Sequence, residues 1–519
     1  MIKKELKTFA ETTSMKGVPR FMKAKSIPFQ LLWIVAVLSL LGFSIFNCYE
    51  LISAYVAKPK SIEIIDLNAF SEQYDDYPGL FSLPGMTICN QNPLTAYRHY
   101  RDVVSWEEYN ELLAPSIGEM DDETHGRYTS PRGYLEHLGP STLLRSENNY
   151  DFILDCWYGH SLDGKRYPCR DDFVITHYPS VLYSQCFEIS INLSNPNVNV
   201  VRPIQIALTL YLDEVNAPLI PEVGTEVVGS AGVALVTHDS GEIPLWENVM
   251  LANAGEFTLF KVAKTHHKKY PDSKDPCRGK DDKFSSIVDI AGDAHNYSLV
   301  GCMYQALQRV TMKSCGCINS DYSVIPPEMT QDTRFCGAGD ITPEIRDIEN
   351  LCQLAINLTN ELDECIVPCE DITHTFTVTS SDWPSPTMQM AFYKKYIRGK
   401  PFARHFTEYE TILQEYERTR NREKALAKLR KLNLIGENFA KVEIVVPGIR
   451  GISFKTTLAT SFSSLLASIG GNLNLWSGIS AIIIIELIDV MMRLMHGAYL
   501  KVKARAKTKP SFVKQVALK

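Results

Sequence analysis

Three common enzyme signatures are missing from this chain. There is no G-x-x-x-x-G-K-[ST] loop to cradle a phosphate, no H-E-x-x-H pair for zinc and no G-x-S-x-G elbow for a nucleophilic serine. His266 and His267 are adjacent, so they cannot share a helix face as metal ligands would; a pair of loop histidines is expected. Structural zinc is disfavoured as well, because Cys315-Gly316-Cys317 and Cys365-x-x-x-Cys369 lack the paired C-x₂-C spacing. No internal repeat or low-complexity segment is present. Apolar residues make up 45% and charged residues 22%, which excludes a disordered chain and a fibre. No catalytic site, metal or cofactor is expected.

Residues 490–519 contain no acid. Their eight cations give +8, and residues 1–26 carry seven cations against Glu5 and Glu11, or +5. The whole 519-residue chain is −7, so the body between the tails is −20. A nucleic-acid binder would place its basic residues on the body, so this balance argues against one.

Residues 29–49 contain no charge. About 20 such residues cross a hydrocarbon core of roughly 30 Å. The stretch exceeds the h-region of a signal peptide, so an uncleaved span is expected. Basic flanks place both termini in the cytoplasm. The second apolar run, 458–488, is less lipid-like. Gly470, Gly471 and Gly478 interrupt it, Ser461, Ser468, Asn472, Asn474 and Ser480 stud it, and Glu486 and Asp489 follow. Such polarity in a membrane faces a partner helix or a watery cavity. Composition alone leaves close helix packing and pore lining equally open.

Between the runs lie twelve of the thirteen cysteines, all from Cys89 to Cys369; Cys48 sits in the first span. An even number confined to one compartment reads as disulfides in an oxidising space. Sequons at Asn192, Asn296 and Asn357 fit an extracellular, glycosylated segment. Short strands are expected at 62–68 and 86–90, a β-rich module over 199–262, and helices over 94–113, 284–315, 343–364 and a highly charged 404–434.

Four ordered motifs then carry a resemblance. Leu83-Pro84-Gly85-Met86-Thr87-Ile88-Cys89-Asn90 is similar to an ectodomain start. Cys365-Ile366-Val367-Pro368-Cys369 with Ser381-Asp382-Trp383-Pro384-Ser385 is similar to a cysteine-rich strand and an S-x-W-P-S hallmark. Gly470-Gly471-Asn472-Leu473-Asn474-Leu475-Trp476-Ser477-Gly478-Ile479-Ser480 is similar to a pore signature, with Glu486 after it. Together they resemble the degenerin/epithelial sodium channel/acid-sensing channel family. Gly478-Ile479-Ser480, Glu486-Leu487-Ile488 and Ser230-Ala231-Gly232-Val233 are most similar to its invertebrate peptide-gated branch, the FMRFamide-gated sodium channels.

The resemblance implies an α+β membrane protein with two transmembrane helices per subunit and a large disulfide-rich extracellular domain, assembled as a homotrimer. It implies a cytoplasmic 1–26, a first helix over 27–56, an ectodomain over 57–455, a pore-lining second helix over 456–490 and a cytoplasmic 491–519. Within the ectodomain it implies a finger (91–185), a β-ball and palm strands (190–270), a thumb (277–375) and a knuckle (388–440). It also implies the pairings Cys89–Cys186, Cys156–Cys169, Cys277–Cys369, Cys302–Cys365, Cys315–Cys352 and Cys317–Cys336. A seventh family bridge would fall on Ala306 and Asp363. Gly478, Ile479 and Ser480 would form the selectivity filter. Ala467, Ser468, Gly471 and Leu475 would lie at the gate, with Glu486 and Asp489 below, although Asp489 could instead pair with Arg493 at i, i+4. Lys16-Gly17 would be the cytoplasmic gating motif, standing where the family has His-Gly, so that only the histidine's own role lacks its residue.

The implied activity is a plasma-membrane, amiloride-sensitive sodium channel, permeant to Na⁺ and opened by an amidated, FMRFamide-like neuropeptide. Such a peptide carries cations and aromatic rings, so its site should offer carboxylates beside aromatic walls. Trp106, Tyr134, Phe152, Asp155 and Trp157 are the candidates. A proton-gated or constitutively open channel of the same fold is the alternative. A two-span adhesion or scavenger receptor would show a plain Leu-rich second anchor, and a nucleotide-hydrolysing ecto-enzyme would need Gly-rich loops; neither is found.

Overall fold

The computed structural model describes residues 2–15, 17–68, 83–92, 95, 151–160, 164–180, 182–191, 204–217, 230–239, 241–244, 246–271, 275–278, 287–288, 294–322, 324–325, 333–336, 345, 348–349, 352–353, 364–447 and 450–507. The chain divides into two compact units, one of 1–62 with 456–519 and one of 63–455.

The first unit is helical. Helices α1 (Ile2–Thr12) and α2 (Val18–Lys23) precede α3 (Ile27–Val56). Helix α3 starts after Ser26 with Pro28 in its first turn, where a missing N–H costs nothing. Only Ser44 is buried along it, and Leu31, Leu38 and Ile45 are exposed. A helix apolar all round and uncovered is one that lipid or other helices must cover. Among the described residues it is the one helix long and apolar enough to cross a membrane.

The second apolar run is two helices. One spans Phe462–Ser477 and the other Ala481–Lys507. The first is capped by the Ser461 hydroxyl, which accepts from the Ser464 N–H at 3.1 Å.

The second unit is built on two sheets. Strands β1 (Lys60–Asn68), β3 (Ile153–His160), β4 (Arg166–Pro168), β7 (Ile204–Tyr211), β10 (Glu256–Lys268), β14 (Phe439–Val446) and β15 (Arg450–Leu458) order as β1-β15-β10-β14-β7-β3-β4, and β13 (Glu370–Asp382) also pairs β10. Strands β2 (Gly85–Asn90), β5 (Phe173–Ser180), β6 (Ser184–Ile191), β8 (Gly232–His238) and β9 (Met250–Asn253) order as β5-β6-β2-β8-β9. A hairpin joins β11 (Ile287–Val288) to β12 (Ala294–His295).

Alternation explains how the large sheet presents its two faces. In β14, Val442, Ile444 and Val446 are buried while Lys441, Glu443 and Val445 are half-buried on the other side. The buried face meets the small sheet in one core, with Met86, Ile88, Ile189 and Leu235 against Leu208, Phe260 and Val442. Each such side chain contributes roughly 1.5–3 kcal/mol. A second core lies under the short helices that follow β13, around Tyr211, Phe402, Phe406 and Phe439.

Six disulfides join Cys89–Cys186, Cys156–Cys169, Cys277–Cys369, Cys302–Cys365, Cys315–Cys352 and Cys317–Cys336, the pairs that the resemblance implies. Ala306 is buried in helix α4 (Leu299–Cys315); Asp363 lies outside the described residues.

Several local expectations need correction. The charged stretch 404–434 is not one helix. Helix α5 (Thr407–Thr419) stops where Arg420 turns left-handed (φ 54°), and α6 (Arg422–Leu429) restarts on the Asn421 side chain. Glu415 ties the pair together, taking Lys424 at 2.7 Å and Lys428 at 2.5 Å. A folded-back hairpin thus buries an apolar face that one long charged helix would expose. Among the described residues of 284–315 the helix is Leu299–Cys315, and 287–288 pair with 294–295 as strands instead. His266 and His267 are not in a loop but on β10, where His266 bonds the Ser453 hydroxyl at 2.9 Å and His267 stacks on Phe454. Of 94–113 only Thr95 is described. Of 343–364, Ile345, Ile348, Glu349, Cys352 and Gln353 are described as helical.

Candidate pore segment and ectodomain pocket

The membrane unit carries the segment expected to form a filter. Gly478 has φ 68° and ψ 15°, and its N–H reaches the Asn474 carbonyl at 3.2 Å. The Ile479 N–H then folds back to the Leu473 carbonyl at 3.1 Å. The left-handed conformation costs an L-residue about 1–2 kcal/mol and glycine almost nothing. Ile479 and Ser480 are therefore extruded between two helices. The end of the first helix leaves its last carbonyls without intrahelical donors. In a membrane such groups are tolerated where they line a cavity, and there they can replace water around a cation.

One face of the Phe462–Ser477 helix packs on α3. Phe462 meets Tyr55, the Asn472 amide lies 3.8 Å from the Cys48 sulfur, and Trp476 meets Phe43 edge-on with centroids 4.8 Å apart. Ala467, Ser468, Gly471 and Leu475 lie off that stripe and are exposed, Leu475 by 68%. A Cβ added at Gly471 would meet nothing within 4 Å. The structure thus groups the four expected gate residues on one uncovered face.

The two carboxylates below are both engaged. Glu486 accepts from the Thr13 hydroxyl at 2.8 Å and from the Ser14 N–H at 3.2 Å. Asp489 pairs with Arg493 at 2.9 Å, the i, i+4 arrangement rather than an open ring. The Glu486 contacts come from just before Lys16-Gly17. Lys16 lies outside the described residues. Gly17 has φ 93°, and a Cβ there would stand 2.5 Å from Val37 of α3, so glycine is required by both conformation and space. Arg20 then lies over the Trp33 ring at 5.4 Å.

In the ectodomain, the five expected ligand residues separate. Trp106 and Tyr134 lie outside the described residues, as do the sequons Asn192 and Asn357; Asn296 is exposed. Phe152 is fully buried and stacks on Phe187, so it is core. Asp155 and Trp157 come together at a pocket on the outward face of the large sheet. Strand pairing sets Asp155 opposite Thr209 and Trp157 opposite Ala207, and the helical segment after Trp383-Pro384 closes over them. Asp155 does not stand free. Its Oδ2 accepts from the Tyr396 hydroxyl at 2.5 Å and from Lys395 at 3.1 Å. Burial and then the bond to Asp155 raise the Tyr396 pKa, and the bond to Tyr396 leads in raising that of Lys395. The sequence reading missed Arg166, Lys395, Tyr396 and Lys441, although the alternation of β14 points Lys441 outward.

A second ionisable cluster is buried where β8 ends. His238 bonds Thr87 at 3.1 Å and the Asp239 carbonyl at 3.0 Å, and His374 Nε2 lies 3.8 Å from the Asp239 carboxylate. Lys264 sits opposite His374 across the β10–β13 ladder. Burial pushes His238 down to about 4, His374 to about 3 and Lys264 to about 8.

A helix broken at glycine, preceded by one long apolar helix and joined to a six-disulfide, two-sheet ectodomain, is the architecture of a membrane channel subunit. Residues 9–490 match the model of the amiloride-sensitive sodium channel family, and the chain belongs to that family. It is 22% identical to the FMRFamide-activated amiloride-sensitive sodium channel of Cornu aspersum, over 92% of this chain and 81% of that one. It is 23% identical to the bile acid-sensitive ion channel of Homo sapiens, over 93% and 85%. It is 21% identical to acid-sensing ion channel 1A of Danio rerio, over 94% and 88%. All three relatives are ion channels.

Proposed function

We propose that the chain is one of three identical subunits of a sodium-selective, amiloride-blocked plasma-membrane channel that an extracellular amidated neuropeptide of the FMRFamide type opens directly. Each subunit crosses the membrane twice with both termini in the cytoplasm. Gly478, Ile479 and Ser480 form the filter, and Ala467, Ser468, Gly471 and Leu475 form the gate above it. Glu486 lies on the inner side, with Asp489 held by Arg493. The observation that supports the pore is the break at Gly478, where a left-handed glycine ends one helix three residues before the next begins at Ala481; a membrane tolerates such a break where it lines a cavity. The peptide reading is supported by the FMRFamide-activated relative, matched over 92% of this chain. A second reading, opening by protons, is supported by the relative named acid-sensing ion channel 1A, matched over 94% of this chain.

The test is current recorded from cells expressing this chain alone, challenged with amidated peptides, their free-acid forms and pH steps, with amiloride as blocker. Amidated, Arg-containing peptides with aromatic ends should open a Na⁺ current without a G protein, and the free acids should be much weaker. Current on acidification with no response to any amidated peptide would replace the first reading by the second.

A further inference from the structure

The ectodomain pocket at Asp155 is a cavity of about 520 Å³, within the range of small-molecule sites. Its floor is the outward face of β3, β7 and β14 with β4 at one side, and its roof is the segment from Trp383 to Tyr396. The walls are largely aromatic. The charges are one-sided: Arg166, Lys395 and Lys441 line it against Asp155 alone. Asp155 already takes Lys395 and Tyr396, which cancels one cation and leaves two.

Those two are held but not neutralised. The Arg166 guanidinium lies 4.2 Å from the Trp157 ring centroid, and the Lys441 ammonium 5.2 Å from that of Phe257. Rings position a cation without removing its charge. Among the described residues neither has a carboxylate within 4 Å. The acid nearest along the strand, Glu443, feels both cations but does not line the cavity; it accepts from the Gln205 amide, and burial raises its pKa and so favours its neutral form. A peptide arginine entering here would meet two cations and would have to displace Lys395 from Asp155. An anion meets the opposite situation, with a planar guanidinium suited to two parallel bonds to an oxyanion.

We propose that this pocket binds a small aryl acid, a flat aromatic ring bearing a carboxylate or sulfonate, with the anion on Arg166 and Lys441 and the ring against Trp157 and Trp383. The site is separate from the agonist reading above and does not depend on it.

The test uses the full chain in lipid nanodiscs, titrated calorimetrically with 2-naphthalenesulfonate, 2-naphthylmethanol and 2-naphthylmethylammonium, with empty discs as the blank. The sulfonate should bind saturably, and the alcohol and the ammonium at least tenfold more weakly. The pair Arg166→Gln with Lys441→Gln should weaken the sulfonate at least tenfold. Lys441→Glu should reverse the preference, so that the ammonium binds more tightly than it does to wild type, a gain that misfolding cannot imitate. Sulfonate heats equal to the empty-disc blank, an alcohol that binds as tightly, or an unchanged preference in Lys441→Glu would overturn the proposal.

Discussion

Acid should loosen the β10–β13 ladder well before it protonates ordinary carboxylates, and the buried histidines set how much. The perturbation is a pH step from 7.5 to 5. In the neutral His238 ring, Nδ1 donates to the Asp239 carbonyl, which can only accept, and Nε2 accepts from the Thr87 hydroxyl. His374 faces Lys264 across the ladder, and that ammonium adds to burial in disfavouring its protonation; His295 does the same to His238. Folding lowers both pKa values from 6.5, to about 4 and about 3. Below pH 6.5 the open chain therefore binds protons that the native chain does not, so stability is complete above pH 6.5 and falls as pH drops. At pH 5 each histidine costs about 2 kcal/mol. Glutamates begin to titrate near 4.3, so the interval 6.5 to 5 isolates the histidines. Lys264, lowered to about 8, has already lost its share by neutral pH, having given it up as pH fell from 10.5. The assay is hydrogen exchange of the Glu256–Lys268 and Glu370–Asp382 strands in the full chain, corrected for intrinsic rate. Wild type should lose protection as calculated. His374→Leu should remove about 2 kcal/mol of that loss, and Lys264→Met should raise protection at pH 7.5. Equal losses in wild type and His374→Leu would refute the assignment.

Four further outcomes follow from the geometry. Ala467→Phe places a ring on the uncovered face of the gate helix and should give standing current or closing slowed several-fold; wild-type gating at normal surface expression would place that face elsewhere. Gly478→Ala forces a Cβ into φ 68° at about 1–2 kcal/mol, and should lower Na⁺ over K⁺ preference measured from reversal potentials. Glu486→Gln should reduce selectivity or unitary current with little change in agonist potency. Combined with Thr13→Val it should be non-additive, because the two side chains share one bond; additive effects would show that the bond is absent in the working channel. Asn296→Gln should lower the glycosidase-sensitive mass by one glycan, and no change would remove that sequon from use.

The sequence is most informative where one local rule suffices. The uncharged run in α3 needs only a length argument, and Gly478 needs only the steric freedom of glycine; the structure puts the helix break there. Strand β14 carries an equally local signal in its alternation, although no strand is among those expected over 439–446. The failures come from long-range partners. The charged stretch 404–434 reads as one helix because composition cannot show that Glu415 folds back onto Lys424 and Lys428. Phe152 reads as a ligand ring because nothing near it in sequence announces Phe187 as its stacking partner. The histidine pair reads as loop because strand β10 is defined by pairing with β13, a hundred residues away in register Lys268–Glu370.

Charge shows the same limit from the other side. A body of net −20 suggests that any ligand should be a cation, and at about 0.15 M salt that field is screened within roughly 8 Å. What an occupant meets is therefore local, and at Asp155 the local sign is reversed. The carboxylate is satisfied by Lys395 and Tyr396 from 240 and 241 positions along the chain, while Arg166 and Lys441 converge from separate strands. An exposed ion pair of this kind adds at most about 1 kcal/mol to stability, so its main consequence is for recognition: it removes the one acid that the sequence offers and leaves two cations against aromatic walls. A peptide agonist's arginine must then find its carboxylate elsewhere on the ectodomain, and neutralising Asp155 should not abolish the response to an amidated peptide.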